Sequence, residues 1–180
     1  MKTSKRISLC AMCIALCYVL PIAFHSVGLG GALSPMHIPV LLCGLICGPI
    51  SGLICGVVGP VLSSILSGMP PVMMLLRMIP ELCIYGLISG TMMKMHFGRS
   101  ITDVYVSLIV AMIAGRITGG IASTIFYMTT TGAYSVGLWV TSYFVEAVPG
   151  IVAHLILVPL LYKTLEHARV IPGRYIHSER

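Results

Sequence analysis

Three apolar stretches of the sequence contain ionisable side chains. Arg77 and Glu81 stand four residues apart in LLRMIPELCIYGLISG. Arg116 lies in AMIAGRITGGIAST, and Glu146 lies in YFVEAVPGIVAHLILVP. A charge at the centre of a bilayer costs about 2.5–3.5 kcal/mol on insertion scales, so such side chains avoid lipid and face one another or a ligand. The four charges therefore predict a polar pocket inside an apolar protein.

Polar and aromatic side chains extend each stretch into a stripe along one helix face, because they recur at intervals of three or four residues. These stripes supply eight candidate substrate-binding residues: Arg77, Glu81, Tyr85, Arg116, Tyr127, Trp139, Tyr143 and Glu146. His154 continues the third stripe, although a histidine in this setting is typical of a hydrogen-bonded core residue. We expect the three stripes together to line a cavity that opens outward.

The same charges have an alternative interpretation as internal ties, with Arg77 paired to Glu81 and Arg116 paired to Glu146. Buried ion pairs are poor stabilisers, because the cost of desolvation largely offsets the attraction. Two such pairs kept only for stability would be unusual, so the pattern favours a ligand site.

Motifs of the common enzyme classes are missing from the sequence. It has no GxxxxGK[ST] phosphate loop, no HExxH, no pair of intramembrane aspartates and no GxSxG. Cys10-Ala-Met-Cys13 matches CxxC but has neither a second cysteine pair nor a nearby histidine. We therefore predict no enzyme activity, no metal site and no cofactor, and we interpret the seven cysteines as helix-packing residues.

The composition is that of a membrane protein. Of 180 residues, 57% are hydrophobic and 9% are charged, against about 25% charged in a soluble domain. Apolar runs reach about 20 residues, the length of a spanning helix rather than of a barrel strand. The apolar run from Ile7 to Phe24 follows basic residues but is long for a signal peptide, so we expect an uncleaved first span.

The elements that position the candidate residues are predicted to be six transmembrane helices in one domain, 1–180. Their approximate bounds are 8–27, 36–48, 52–67, 71–93, 104–128 and 138–162. Gly48-Pro49 and Ser51-Gly52 divide a long apolar run into the second and third helices. With six spans, nine of the 11 Lys and Arg residues fall on one side, which makes both termini cytoplasmic. Topology, rather than a nucleic-acid partner, thus accounts for the net charge of +6.

Five stretches in order resemble one protein family. They are LSPMHIPVLLCGLICGP, PVLSSILSGMPP, RMIPELCIYGLISG, AMIAGRITGGIA and EAVPGIVAHLILVP, and the similarity spans roughly Ala11 to Leu161. They resemble the substrate-binding S components of energy-coupling factor (ECF) transporters, which import vitamins and related micronutrients.

The resemblance implies a multi-pass protein of the cell membrane that captures a small molecule and docks onto a membrane scaffold subunit with two ATPase subunits. It implies that a small-residue pattern on the first helix, here Ala11 and Ala15, contacts the scaffold. It also implies a lid loop over the ligand, which makes Ser34, Met36 and His37 candidate lid and binding residues.

The substrate remains open between pantothenate-like, cobalamin-like and queuosine-precursor-like molecules. Arginines suit a carboxylate, whereas glutamates accept hydrogen bonds from a purine-like or amine-bearing ligand. Two other functions also remain: an autonomous transporter with a proton relay through Glu81, Glu146 and His154, and a ligand-free membrane scaffold.

Overall fold

The computed structural model describes residues 3–26, 28, 34–95, 101–130, 137, 140–141, 145 and 147–171, which form helices joined by turns and contain no strand. Its helices are α1 (Thr3–Ser26), α2 (His37–Cys47), α3 (Pro49–Ser67), α4 (Val72–Met95), α5 (Ile101–Thr130) and α6 (Val148–His167). Five of them, all except α2, are long and apolar enough to cross a membrane. The prediction of an all-α, multi-pass membrane protein is confirmed at this level.

Helix α2 is the centre of the bundle. It contacts each of the other five helices, and ten of its 11 residues are buried. At 1.5 Å per residue it is about 16 Å long, roughly half the thickness of the hydrocarbon core. A short helix that is apolar all round is expected inside a bundle rather than against lipid. The second predicted span is therefore observed as a short core helix.

The break between α2 and α3 is confined to Gly48. Its φ of 93° is favourable only for glycine, and Pro49 begins α3 at a position where its missing N–H is harmless. The sequence predicts a turn over 48–52. In the structure α3 begins three residues earlier than predicted, because Ser51 and Gly52 continue the helix.

Close backbone contact fixes α4 against α2 and α3. A Cβ atom on Gly86 would meet the backbone of Gly52, and one on Gly52 would meet the backbone of Gly86. Small residues permit this approach between membrane helices. The contact brings the polar stripe of α4 beside the N-terminal half of α2.

The ends of the other helices differ from the predicted spans by a few residues. Helix α1 begins at Thr3 instead of 8, α5 extends over 101–130 instead of 104–128, and α6 ends at His167 instead of 162. The predicted start of the sixth span at 138 lies outside the described residues.

Candidate functional site

A cavity of about 390 Å³ opens at one end of the bundle. Its wall comes from the C-terminal part of α1, the N-terminal ends of α2 and α4, and the segment 68–71 between α3 and α4. Ser34, Met36 and His37, the candidate lid residues, are part of this wall. The volume falls in the range of about 300–1,000 Å³ that small-molecule sites occupy.

Two serines of α3 hold the segment 68–71 in place. Ser63 Oγ donates a hydrogen bond to the carbonyl oxygen of Met69 at 2.8 Å, and Ser64 Oγ donates to that of Pro70 at 2.8 Å. Gly68, with φ 70°, ends α3 in the left-handed conformation. These contacts make the segment a fixed wall of the cavity. Sequence reasoning assigned these serines no role, although their position just before GMPP was the available signal.

A buried polar cluster adjoins the cavity through His37. Tyr85 Oη donates to Glu81 Oε1 at 2.7 Å, and His37 Nε2 lies 3.6 Å from the same oxygen. The rings of His37 and Tyr85 meet edge to face, with centroids 5.1 Å apart. Because all three side chains are buried, these contacts compensate Glu81 Oε1 for the hydration that it loses on burial.

The carbonyl oxygen of Ser34 accepts from two histidines. His37 Nδ1 lies at 3.0 Å and His154 Nε2 at 3.4 Å, and the two rings stack with centroids 5.5 Å apart. A carbonyl only accepts, so each of these ring nitrogens must carry hydrogen. His154 is 1% exposed, which matches its interpretation as a hydrogen-bonded core histidine.

These contacts fix the tautomer of His37. If its Nδ1–H donates to Ser34, a neutral imidazole turns the Nε2 lone pair toward the Glu81 carboxylate, and two acceptors then face each other. Attraction between His37 and Glu81 requires a proton on one of them.

Arg77 lies apart from this cluster, between α4 and α5. Its Nη1 donates to Tyr127 Oη at 2.9 Å. The guanidinium carbon also lies 4.9 Å from the ring centroid of Tyr127 and 5.9 Å from that of Phe126, distances typical of cation–π contacts. The predicted stripes of α4 and α5 thus meet. Arg77 contacts Tyr127, whereas Glu81 contacts Tyr85 and His37, so the two charges do not pair with each other.

Of the remaining candidate binding residues, the structure describes Arg116 only. Arg116 is 7% exposed, and a Cβ on its neighbour Gly115 would meet the Tyr85 ring, so Arg116 lies next to the contact of α5 with the polar cluster. Trp139, Tyr143 and Glu146 lie outside the described residues, and so does the alternative pair of Arg116 with Glu146. Of the predicted set, His37 lines the cavity and Glu81 and Tyr85 lie behind it.

Ala11 and Ala15 are both exposed on the outer surface of α1. Ala11 also lines a groove of about 290 Å³ between α1 and α3, together with residues of both helices such as Ile14 and Ile54. The two alanines are therefore placed where a partner helix has access to them.

The cysteines that the structure describes are free and lie in the helices. Cys17 on α1 and Cys55 on α3 place their sulfur atoms 4.0 Å apart, and Cys17 also contacts the carbonyl oxygen of Met36. Among the described residues, no group of three or more His, Cys, Asp or Glu side chains could hold a metal ion.

These features define a multi-pass helical membrane protein with a cavity at one end. The family model of the ECF transporter, substrate-specific component, matches residues 5–162. The chain belongs to this family, which confirms the resemblance seen in the sequence. The family is one of transporter components rather than enzymes, and it implies a small-molecule substrate and partnership with ECF scaffold and ATPase subunits. No curated protein and no solved structure matches the chain.

Proposed function

We propose that this protein is the high-affinity substrate-binding subunit of an ECF transporter that imports a vitamin or related micronutrient across the cell membrane. One observation supports the proposal most strongly: the cavity wall contains Ser34, Met36 and His37, the residues that the family resemblance assigns to the lid. Cavity, lid end and buried polar cluster thus meet in a chain of the S-component family.

In this proposal two parts of the protein have separate functions. The cavity binds substrate at the end where α1 leads to α2 and α3 leads to α4. The exposed Ala11 and Ala15 face of α1 docks onto the scaffold subunit, and ATP is hydrolysed by the partner subunits. His37 and His154, which bind the Ser34 carbonyl, hold the C-terminal end of the lid beside the cavity.

The size of the cavity bears on the choice of substrate. At about 390 Å³, it lies near the lower end of the range for small-molecule sites. This volume suits a pantothenate-like or queuosine-precursor-like molecule better than a corrinoid, which is far larger. We therefore rank the cobalamin-like substrate last.

The experiment is to purify the chain alone from cells grown in rich medium and to identify by mass spectrometry any small molecule that remains bound. We expect one vitamin-like compound at close to one molecule per protein. An empty protein that also binds no member of a vitamin panel would contradict the proposal. Uptake in cells should require the ATPase subunits and should stop when Ala11 and Ala15 are replaced with leucine, while substrate binding remains.

The buried contact between His37 and Glu81 favours one alternative, an autonomous proton-coupled transporter. That function predicts substrate uptake into liposomes that contain this chain alone and a proton gradient. The S-subunit proposal predicts binding without uptake in the same liposomes. Adding the scaffold and ATPase subunits with ATP should then restore uptake, whereas a proton gradient should not.

A further inference from the structure

We propose that the cavity binds a neutral, flat heteroaromatic ring between thioether side chains, and that any charged group of the substrate remains outside the cavity. The inference rests on the proposed function, because it specifies the chemical class of the substrate at the same site. It differs from an expectation based on the arginines, which would favour a carboxylate.

The first observation is that the described wall of the cavity lacks acidic and strongly basic side chains. Among the described residues that form the wall, none is Asp, Glu, Lys or Arg; the ionisable ones are His25 and His37. The two nearby charges on α4 are engaged elsewhere: Glu81 contacts Tyr85 and His37, and Arg77 contacts Tyr127. A ligand charge beside these described wall residues would lose its hydration without gaining an ionic partner from them, which is unfavourable.

Methionines are the second observation. Four of the 12 methionines in the chain line this cavity: Met36, Met69, Met74 and Met78. Thioethers are polarisable and flexible, and their contacts with aromatic rings are worth about 0.3–1.5 kcal/mol each.

The positions of these methionines suit a flat ring. Met36 immediately precedes α2, whereas Met74 and Met78 are one turn apart on α4, so methionine residues line the cavity from two different parts of its wall. Met69 and Met74 are 46% and 48% exposed. They are therefore not filling the protein core, and a ligand that enters the cavity would cover them.

Polar recognition would be limited to the edge of the ring. His37 has both nitrogens engaged, with Ser34 and with Glu81, which leaves the exposed His25 as the cavity histidine available for a ligand. Few polar partners and several thioethers favour a ring with a small number of edge hydrogen bonds over a flexible, heavily hydroxylated chain.

The test compares three probes on the purified full chain: guanine, 7-cyano-7-deazaguanine and pantothenate. Binding is measured by thermal shift and by titration calorimetry. The Met74→Leu/Met78→Leu variant keeps side-chain volume but removes both sulfur atoms from the α4 wall. Met73→Leu is the matched control, because Met73 is adjacent and 63% exposed but is not part of the cavity wall.

We expect a heteroaromatic probe to bind more tightly than pantothenate and the double variant to weaken that binding about tenfold, with the control unchanged. Tighter binding of pantothenate, or heteroaromatic binding that the double variant leaves unchanged, would overturn the inference. The ligand that co-purifies separates this inference from the proposed function. An aliphatic acid would overturn only the ring assignment, whereas a protein that captures nothing would overturn both.

Discussion

Glu81 and Arg77 stand one turn apart on α4 and occupy different environments. Glu81 is 6% exposed and contacts Tyr85 and His37 in the core. Arg77 is only partly buried and contacts the hydroxyl and ring faces of aromatic residues on α5. The spacing of four residues allows the two side chains to pair, but the neighbouring helices offer each of them a different partner. Polar residues of one helical stripe thus face two separate environments.

Removing the charge of Glu81 or of Arg77 should reveal the largest difference in stability between the two regions. Glu81→Leu leaves the Tyr85 hydroxyl without its acceptor and His37 without its carboxylate, so we expect a loss of about 3–5 kcal/mol in the free energy of unfolding. Arg77→Leu should cost about 1 kcal/mol or less, because the side chain is partly exposed and its contact is weaker. Unfolding in detergent micelles measures both, and equal losses would contradict the division into two environments.

Tyr85 and Tyr127 allow the stability of the same two regions to be compared with the loss of a single hydroxyl group. Tyr85→Phe removes a buried hydrogen bond to a carboxylate and should cost about 1.5–3 kcal/mol. Tyr127→Phe keeps the ring beneath Arg77 and should cost about 0.5–1 kcal/mol. Thermal unfolding of the two variants side by side would reveal the difference. If Tyr127→Phe lowered the Tm more than Tyr85→Phe, the contact of Tyr127 with Arg77 would contribute more to stability than the contact of Tyr85 with Glu81.

The position of Glu81 depends on how closely α4 approaches α3. Gly86→Ala introduces a methyl group against the backbone of Gly52, and overpacking of this kind costs about 1–3 kcal/mol. We expect a lower Tm together with weaker substrate binding, because the helix must move away from α2 and α3. Thr91→Val, on the exposed side of the same helix, is the control and should change neither.

Small effects are also expected at the cavity wall formed by 68–71. Ser63→Ala and Ser64→Ala each remove one hydrogen bond to this segment and should each cost about 1 kcal/mol. The loss should affect the Kd for substrate as well as Tm, because the segment forms part of the cavity. Ser8→Ala removes an exposed hydrogen bond on α1 and should leave substrate binding unchanged.

The helices could be predicted from the sequence because their signals are local. Long apolar runs and the Gly48-Pro49 break define α2 and α3 without reference to the rest of the chain. The short length of α2 was also visible, but its burial on every side depends on how the other helices pack around it. Local periodicity does not contain that information.

The candidate site was predicted less completely, because its partners come from distant parts of the chain. The sequence indicated His37, Glu81 and Tyr85 individually, but the contact of His154 with Ser34 joins residues 120 positions apart. The methionines of the cavity were missed because methionine is an ordinary residue in apolar helices. Only their shared position around one cavity distinguishes Met36, Met74 and Met78.

Filling the cavity tests whether it is the substrate-binding site. The measurement is the Kd of the co-purifying ligand for the wild type, for Met74→Trp, which projects a larger side chain from the cavity wall, and for Met73→Trp, which lies outside that wall. We expect Met74→Trp to abolish measurable binding while the protein stays folded, and Met73→Trp to bind as the wild type does. Unchanged binding to Met74→Trp would show that the substrate occupies another part of the molecule.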